Sequence, residues 1–158
     1  MNQPRDDNLL LPRNVTDPAD YENDFVLWID KQVALLRAKK FGQLDLGNII
    51  EEMESIAKSL QREFRSRLRV LIIHLLKCQF QPEKKGGNWL GSIGEQRSEL
   101  SDLIEQNPSL KRLVEAHAAQ VYPSAAQRAA DETSLPKSIF PLQNPYSAEQ
   151  LLDTQFIP

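Results

Sequence analysis

Asp45 to Phe80 reads DLGNIIEEMESIAKSLQREFRSRLRVLIIHLLKCQF, and no proline interrupts it. Leu46, Ile49, Ile50, Met53, Ile56, Ala57, Leu60, Phe64, Leu68, Leu71, Ile72, Leu75 and Cys78 recur at intervals of three and four, which puts them on one stripe of an α-helix. At ~1.5 Å per residue that helix would run about 50 Å, a spine against which shorter elements must pack, with room for a kink. Pro82 stops it, and the following Pro82 to Asn88, containing Lys84, Lys85, Gly86 and Gly87, is a turn by composition.

On the N-terminal side, Tyr21, Phe25, Trp28, Ile29 and Leu36 share a helical face, so a first helix is expected over roughly 18–40. Asp17 supplies its N-cap, Pro18 its first position, and Gly42 follows its end. Residues 1–16 lack any period and read as an extended arm. Downstream, Trp89, Leu90, Ile93, Leu100 and Ile104 mark a third helix over about 88–106. Asn107 and Pro108 then open a fourth, carrying Leu110, Leu113, Val114 and Val121, which Pro123 is expected to kink or divide. Ala125 to Glu132 are good helix formers, and Thr133 to Pro136 form a stop. In the proline-punctuated tail, Ser147-x-x-Gln150 is a capping box opening a short helix through Leu151 and Leu152. Ile139, Phe140, Phe156 and Ile157 would pack that tail on the rest. With no internal repeat and no period-2 run, the expectation is an all-α, four-helix-bundle-like domain over 17–158, with a long central helix and an extended C-terminal tail ending in a short helix.

Composition narrows the function only by exclusion. The longest apolar runs, Phe25 to Ile29 and Val70 to Ile73, fall far short of the ~20 residues that span a bilayer. Met1 to Pro12 lacks the plan of a signal peptide, and the lone Cys78 fits a reducing compartment, so a cytoplasmic location is expected. A formal net charge of -3 gives no global attraction to nucleic acid. Local charge is a separate matter: Lys58, Arg62, Arg65 and Arg69 form a basic face on the outside of the long helix, suited to phosphates or an acidic partner, although no aromatic residue interleaves it to stack bases. The Lys84 to Asn88 turn opens a helix that could receive an anion, but it lacks the spacing of a phosphate-binding Walker loop.

The anomalies are polar side chains on apolar faces. Arg97 stands i+4 from Ile93 and i-3 from Leu100, which turns its guanidinium inward, where an unpaired charge costs about 3 to 5 kcal/mol. Glu52, Glu63, Arg67 and His74 edge the long helix's stripe and are its expected partners, and His117 lies between Val114 and Val121 on the fourth helix. Glu52, Glu63, Arg67, His74, Arg97 and His117 thus make either a polar pocket or an internal network that fixes helix register. A metal would need a set such as Glu52, Glu63, His74 and His117, but neither Glu-x-x-His nor His-Glu-x-x-His occurs, so no metal and no cofactor are expected. There is no Gly-x-Ser-x-Gly elbow, and Cys78 faces the core. Gly87, Gly91 and Gly94 share one face of the third helix and would admit a closely packed neighbour.

Four motifs in order carry a family resemblance. They are Glu51-Glu52-x-Glu54; Leu68-x-x-Leu71-x-x-His74-Leu75-Leu76-Lys77 with Gln81-Pro82; Trp89-x-x-x-Ile93-x-x-Gln96-Arg97; and Pro141-x-x-x-Pro145 ahead of Glu149-Gln150-Leu151-Leu152-Asp153. From about Tyr21 to Pro158 the chain resembles the bacterial family known as domain of unknown function twenty-nine. That resemblance implies a single-domain bacterial protein and no activity, while placing His74, Lys77, Trp89 and Arg97 inside family motifs. The leading expectation is a non-enzymatic interaction protein, self-associating through an apolar or glycine-lined helix face. A small-molecule or metal-dependent enzyme built on the interior Glu/His/Arg cluster is the alternative, and nucleic-acid binding through the basic face is the third.

Overall fold

The computed structural model describes residues 18–158, so the expected arm over 1–16 and the Asp17 cap lie outside the described residues. Every regular element among them is helical: α1 Pro18–Asn23, α2 Phe25–Arg37, α3 Leu46–Phe80, α4 Gly87–Gln106, α5 Val114–Thr133 and α6 Ala148–Leu152, joined by short 3-10 turns. The all-α class, the bundle-like packing and the long central α3 follow the sequence pattern closely.

The boundaries differ where short-range hydrogen bonding overrides the period. The first helix is two, because the Asp24 side chain accepts from the Leu27 amide and restarts the helix. It also ends earlier than expected. Lys39 takes the left-handed conformation with φ 56°, its amide reaching the Leu36 carbonyl and that of Lys40 the Leu35 carbonyl. That is a Schellman stop made without glycine, three residues ahead of Gly42. Pro108–Leu113 forms a 3-10 segment rather than the opening turns of a fourth α-helix. Pro123 sits inside α5 without dividing it. Ala119, whose carbonyl loses its donor to the proline, is exposed and open to water.

The described residues gather into two compact units, one ending at Ile56 and the other spanning Ala57–Pro158. In the first, Trp28, Gln32 and Leu35 are the buried face of α2. Polar bonds anchor this face to the start of α3: the Trp28 indole donates to Asp45 Oδ2 at 3.2 Å, and the Asp45 amide donates to Gln32 Oε1 at 2.9 Å. Tyr21, Phe25 and Trp28 pack ring on ring.

The second unit holds the apolar core. Phe64, Leu68, Leu71, Ile72 and Leu75 of α3 are fully buried with Leu100 of α4, Val114 and Ala118 of α5 and Leu151 of α6. The inward side of α5 is largely alanine at Ala118, Ala125, Ala126, Ala129 and Ala130, which permits close helix approach. The tail is held as expected. Ser147 and Gln150 form the capping box of α6, and Phe140, Tyr146 and Leu151 are buried. Tyr122 Oη donates to the Pro141 carbonyl at 2.7 Å, and Tyr146 Oη donates to Gln79 Oε1 at 2.7 Å. Burial raises both phenols above the usual tyrosine range, so they stay protonated donors.

Candidate functional site

Arg97 is turned inward and 4% exposed, as its place in the apolar stripe of α4 requires. Its partners, however, are not the acids and imidazoles of α3. Its Nε donates to the Leu151 carbonyl at 3.0 Å, Nη2 to the Gln150 carbonyl at 2.9 Å and Nη1 to the Phe156 carbonyl at 2.8 Å. Two of these are carbonyls from the last turn of α6, which have no partner within the helix. A guanidinium presents five donors in a rigid fork and can therefore satisfy several carbonyls at once. Burial lowers its pKa and the Asp153 carboxylate opposes that shift; the group remains charged at neutral pH. Arg97 is a clasp for the C-terminal segment.

The remaining expected cluster members lie in separate places. Glu52 belongs to the first unit, accepting a 2.5 Å bond from Tyr21 Oη. That bond, with smaller contributions from burial and nearby carboxylates, pushes the phenol up to about 12. Arg67 sits between Glu63 at 3.3 Å and Glu99 at 3.2 Å in a partly exposed ion-pair group. His117 is buried edge-on against Phe64 at 6.1 Å between centroids, with no partner for its Nε2. Within the second unit, Glu63, Arg67, His74, Arg97 and His117 do not converge on one pocket, because the partners of Arg97 come from the tail, which has no charge pattern to announce them. Among the described residues no three His, Cys, Asp or Glu side chains are placed to hold a metal ion.

His74 leads to an arrangement that the stripe analysis missed. Three residues along α3, Lys77 is 6% exposed, its Nζ 2.8 Å from Glu132 Oε2 and 4.6 Å from the centroid of the Trp89 ring. The other Glu132 oxygen accepts from Arg128 Nε at 2.8 Å. These hydrogen bonds, that from Lys77 foremost, hold the Glu132 carboxyl below its usual range against the opposing effect of burial. His74 borders a groove of about 420 Å³ whose other polar walls are Arg69, Ser124, Arg128 and Glu132. Burial, then the Lys77 charge, depresses the imidazole pKa while Glu132 opposes them, and its Nδ1 has no partner. The hydroxyl beside it is not activated, since Ser124 Oγ donates to the Val121 carbonyl at 2.8 Å. Burial raises the Cys78 thiol pKa, leaving it unreactive. Lys77 and Trp89 stand within motifs noted in the sequence; Glu132, 55 residues away, carries no such signal.

A family model described as "Domain of unknown function DUF29" matches residues 21–157. The chain belongs to the DUF29 family. No curated protein and no solved structure matches it. The matched segment of this DUF29 chain contains His74, Lys77, Trp89 and Arg97, so the Lys77 ion pair and the Arg97 clasp both fall inside it.

Two surfaces remain. On the DUF29 chain's basic face, Arg62, Arg65 and Arg69 line a groove between α3 and α5, with Lys58 one turn earlier. In the first unit, apolar side chains that the helical period assigns to a core are exposed. These include Phe25, Ile29 and Leu36 of α2, with Val26 at 69% and Val33 at 37%, and Leu46, Ile50, Met53 and Ile56 of α3. Among the described residues, no helix is long and apolar enough to cross a membrane.

Proposed function

We propose that this protein is a non-enzymatic, cytoplasmic interaction protein whose first unit pairs with that of a second copy. The observation that carries the reading is an apolar stripe left uncovered on each of two successive helices. On α2 the stripe is Val26, Ile29, Val33 and Leu36, spaced three, four and three; on α3 it is Leu46, Ile50 and Met53, spaced four and three, flanked by Ile56. Spacings of three and four are those of helices that interlock side chain into groove. Trp28, Gln32 and Leu35, about a third of a turn around α2, are already buried within the unit, so the exposed stripe lies beside that buried face.

Two helices of one unit, each with an outward stripe, make half of a four-helix bundle, and an identical half supplies a matching complement through a two-fold axis. Exposed apolar clusters of this density are unusual on a monomer. A methyl group added at Gly87, Gly91 or Gly94 would meet nothing within 4 Å, so no other part of the chain packs closely on the glycine-lined face of α4. Light scattering across a concentration series tests the reading. A dimer mass that falls on dilution, and falls further with Ile50→Glu, is expected; a monomer mass at every concentration refutes it.

A further inference from the structure

We propose that the groove between α3 and α5 is a binding site for a small phosphate-rich anion, such as a linked di- or triphosphate group. This groove, about 510 Å³, is lined on α3 by Arg62, Arg65, Ser66 and Arg69 and on α5 by Gln120 and Ser124. Its volume lies in the range of small-ligand sites. Three guanidinium groups, two hydroxyls and one amide project into it, and no carboxylate does.

Unlike the other arginines on these helices, the three arginines are unspent. Arg67 is engaged by Glu63 and Glu99, and Arg128 by Glu132. Among the described residues, Arg62, Arg65 and Arg69 have neither an ion pair nor a hydrogen-bond partner. Arg65 is half-buried, so its charge is partly removed from water with nothing opposite it. Positions 62, 65 and 69 lie along one side of α3 over about 10 Å, close enough for their forks to converge on a single multiply charged group.

The lining also sets the ligand's class. Guanidinium forks match phosphate oxygens in bidentate geometry, and the Ser66 hydroxyl adds a donor to the same oxygens, whereas Ser124 Oγ already donates to the Val121 carbonyl. The one apolar wall is Val121, and no aromatic ring is present on which a base could stack. Recognition therefore falls on the phosphates and not on an attached base, which favours a compact oligophosphate over a nucleic-acid strand. The groove lies wholly within Ala57–Pro158 and does not depend on pairing through the first unit.

The test is calorimetric titration of the full chain with sodium tripolyphosphate at low ionic strength, with an oligothymidylate strand titrated in parallel. Saturable tripolyphosphate binding is expected, weakening about tenfold for each contacting arginine lost and so about a thousandfold in Arg62→Ala/Arg65→Ala/Arg69→Ala. Alanine is the best helix former, so these substitutions on α3 preserve the fold, which the circular dichroism spectrum checks. A charge-matched variant on the same unit, Lys111→Ala/Arg112→Ala/Lys137→Ala, retains wild-type affinity. Absence of tripolyphosphate binding, or an equal loss in both triple variants, overturns the site. Tighter binding of the oligothymidylate than of tripolyphosphate overturns the assignment in favour of a nucleic-acid strand.

Discussion

Replacing Arg97 by methionine removes three donors from three carbonyls while keeping most of the apolar stem. Hydrogen bonds from a charged group contribute about 1.5 to 3 kcal/mol each, so the full set would sum to roughly 4.5 to 9 kcal/mol if the carbonyls had no escape. They do have one, because the C-terminal segment can lift and let water take the place of the guanidinium. The loss is then limited to what docking of that segment contributes, including burial of Leu151 and the partial burial of Phe156. A destabilisation of about 4 kcal/mol is the expected result for Arg97→Met. Arg97→Lys, with one compact ammonium in place of a planar fork, should recover less than half of it. Urea denaturation gives the magnitude. Hydrogen exchange of the Leu151 and Asp153 amides, bonded within α6 to Ser147 and Glu149, locates it. If Arg97→Met stays within about 1 kcal/mol of wild type with those amides still protected, the clasp is refuted.

Three other outcomes follow from the same geometry. Lys77→Met keeps an aliphatic stem beside Trp89 but strips Glu132 of its closest cation, and should cost about 2 kcal/mol in urea denaturation, less than a wholly buried pair because Glu132 is one-third exposed; a neutral result would make the pair dispensable. Gly91→Ala and Gly94→Ala introduce methyl groups that meet nothing within 4 Å, so each should stabilise by about 0.8 to 1 kcal/mol and leave the oligomeric mass unchanged. A lost dimer in either variant would move the interface to α4. His74 titrates at a lower pH folded than its ordinary 6.5, so the unfolded chain binds the extra proton first. Stability is therefore fully present above pH 6.5 and declines as pH falls through the folded pKa, whereas the Glu132 contribution is lost only below its ordinary 4.5. His74→Gln should flatten the first decline in a urea-midpoint series against pH and leave the second; an unchanged first limb contradicts the assignment.

Periodicity made α3 legible to within a residue at its start, because thirteen apolar positions in one phase leave no competing register. The capping box at Ser147 and the inward turn of Arg97 were equally readable, both being local consequences of helix geometry. What the period cannot reveal is what covers a stripe. The same apolar phase runs from Leu46 to Cys78, yet it is buried at Phe64 and Leu68 and exposed at Ile50 and Met53. Nor does it reveal distant partners. Arg97 meets carbonyls 53 to 59 residues away, and backbone acceptors leave no trace in side-chain pattern. Local hydrogen bonding also escaped the pattern, since Asp24 splits the first helix inside an unbroken amphipathic run. The basic face was visible from spacing alone, but the absence of partners for its arginines belongs to the folded chain.

Pairing through the uncovered stripe is tested most directly by a cysteine trap under mild oxidation, because buried Cys78 is the only native thiol. Ile50→Cys should give a covalent dimer at protein concentrations where Lys137→Cys, exposed on the second unit, stays monomeric. Equal trapping at both positions, or none at Ile50→Cys, would contradict it.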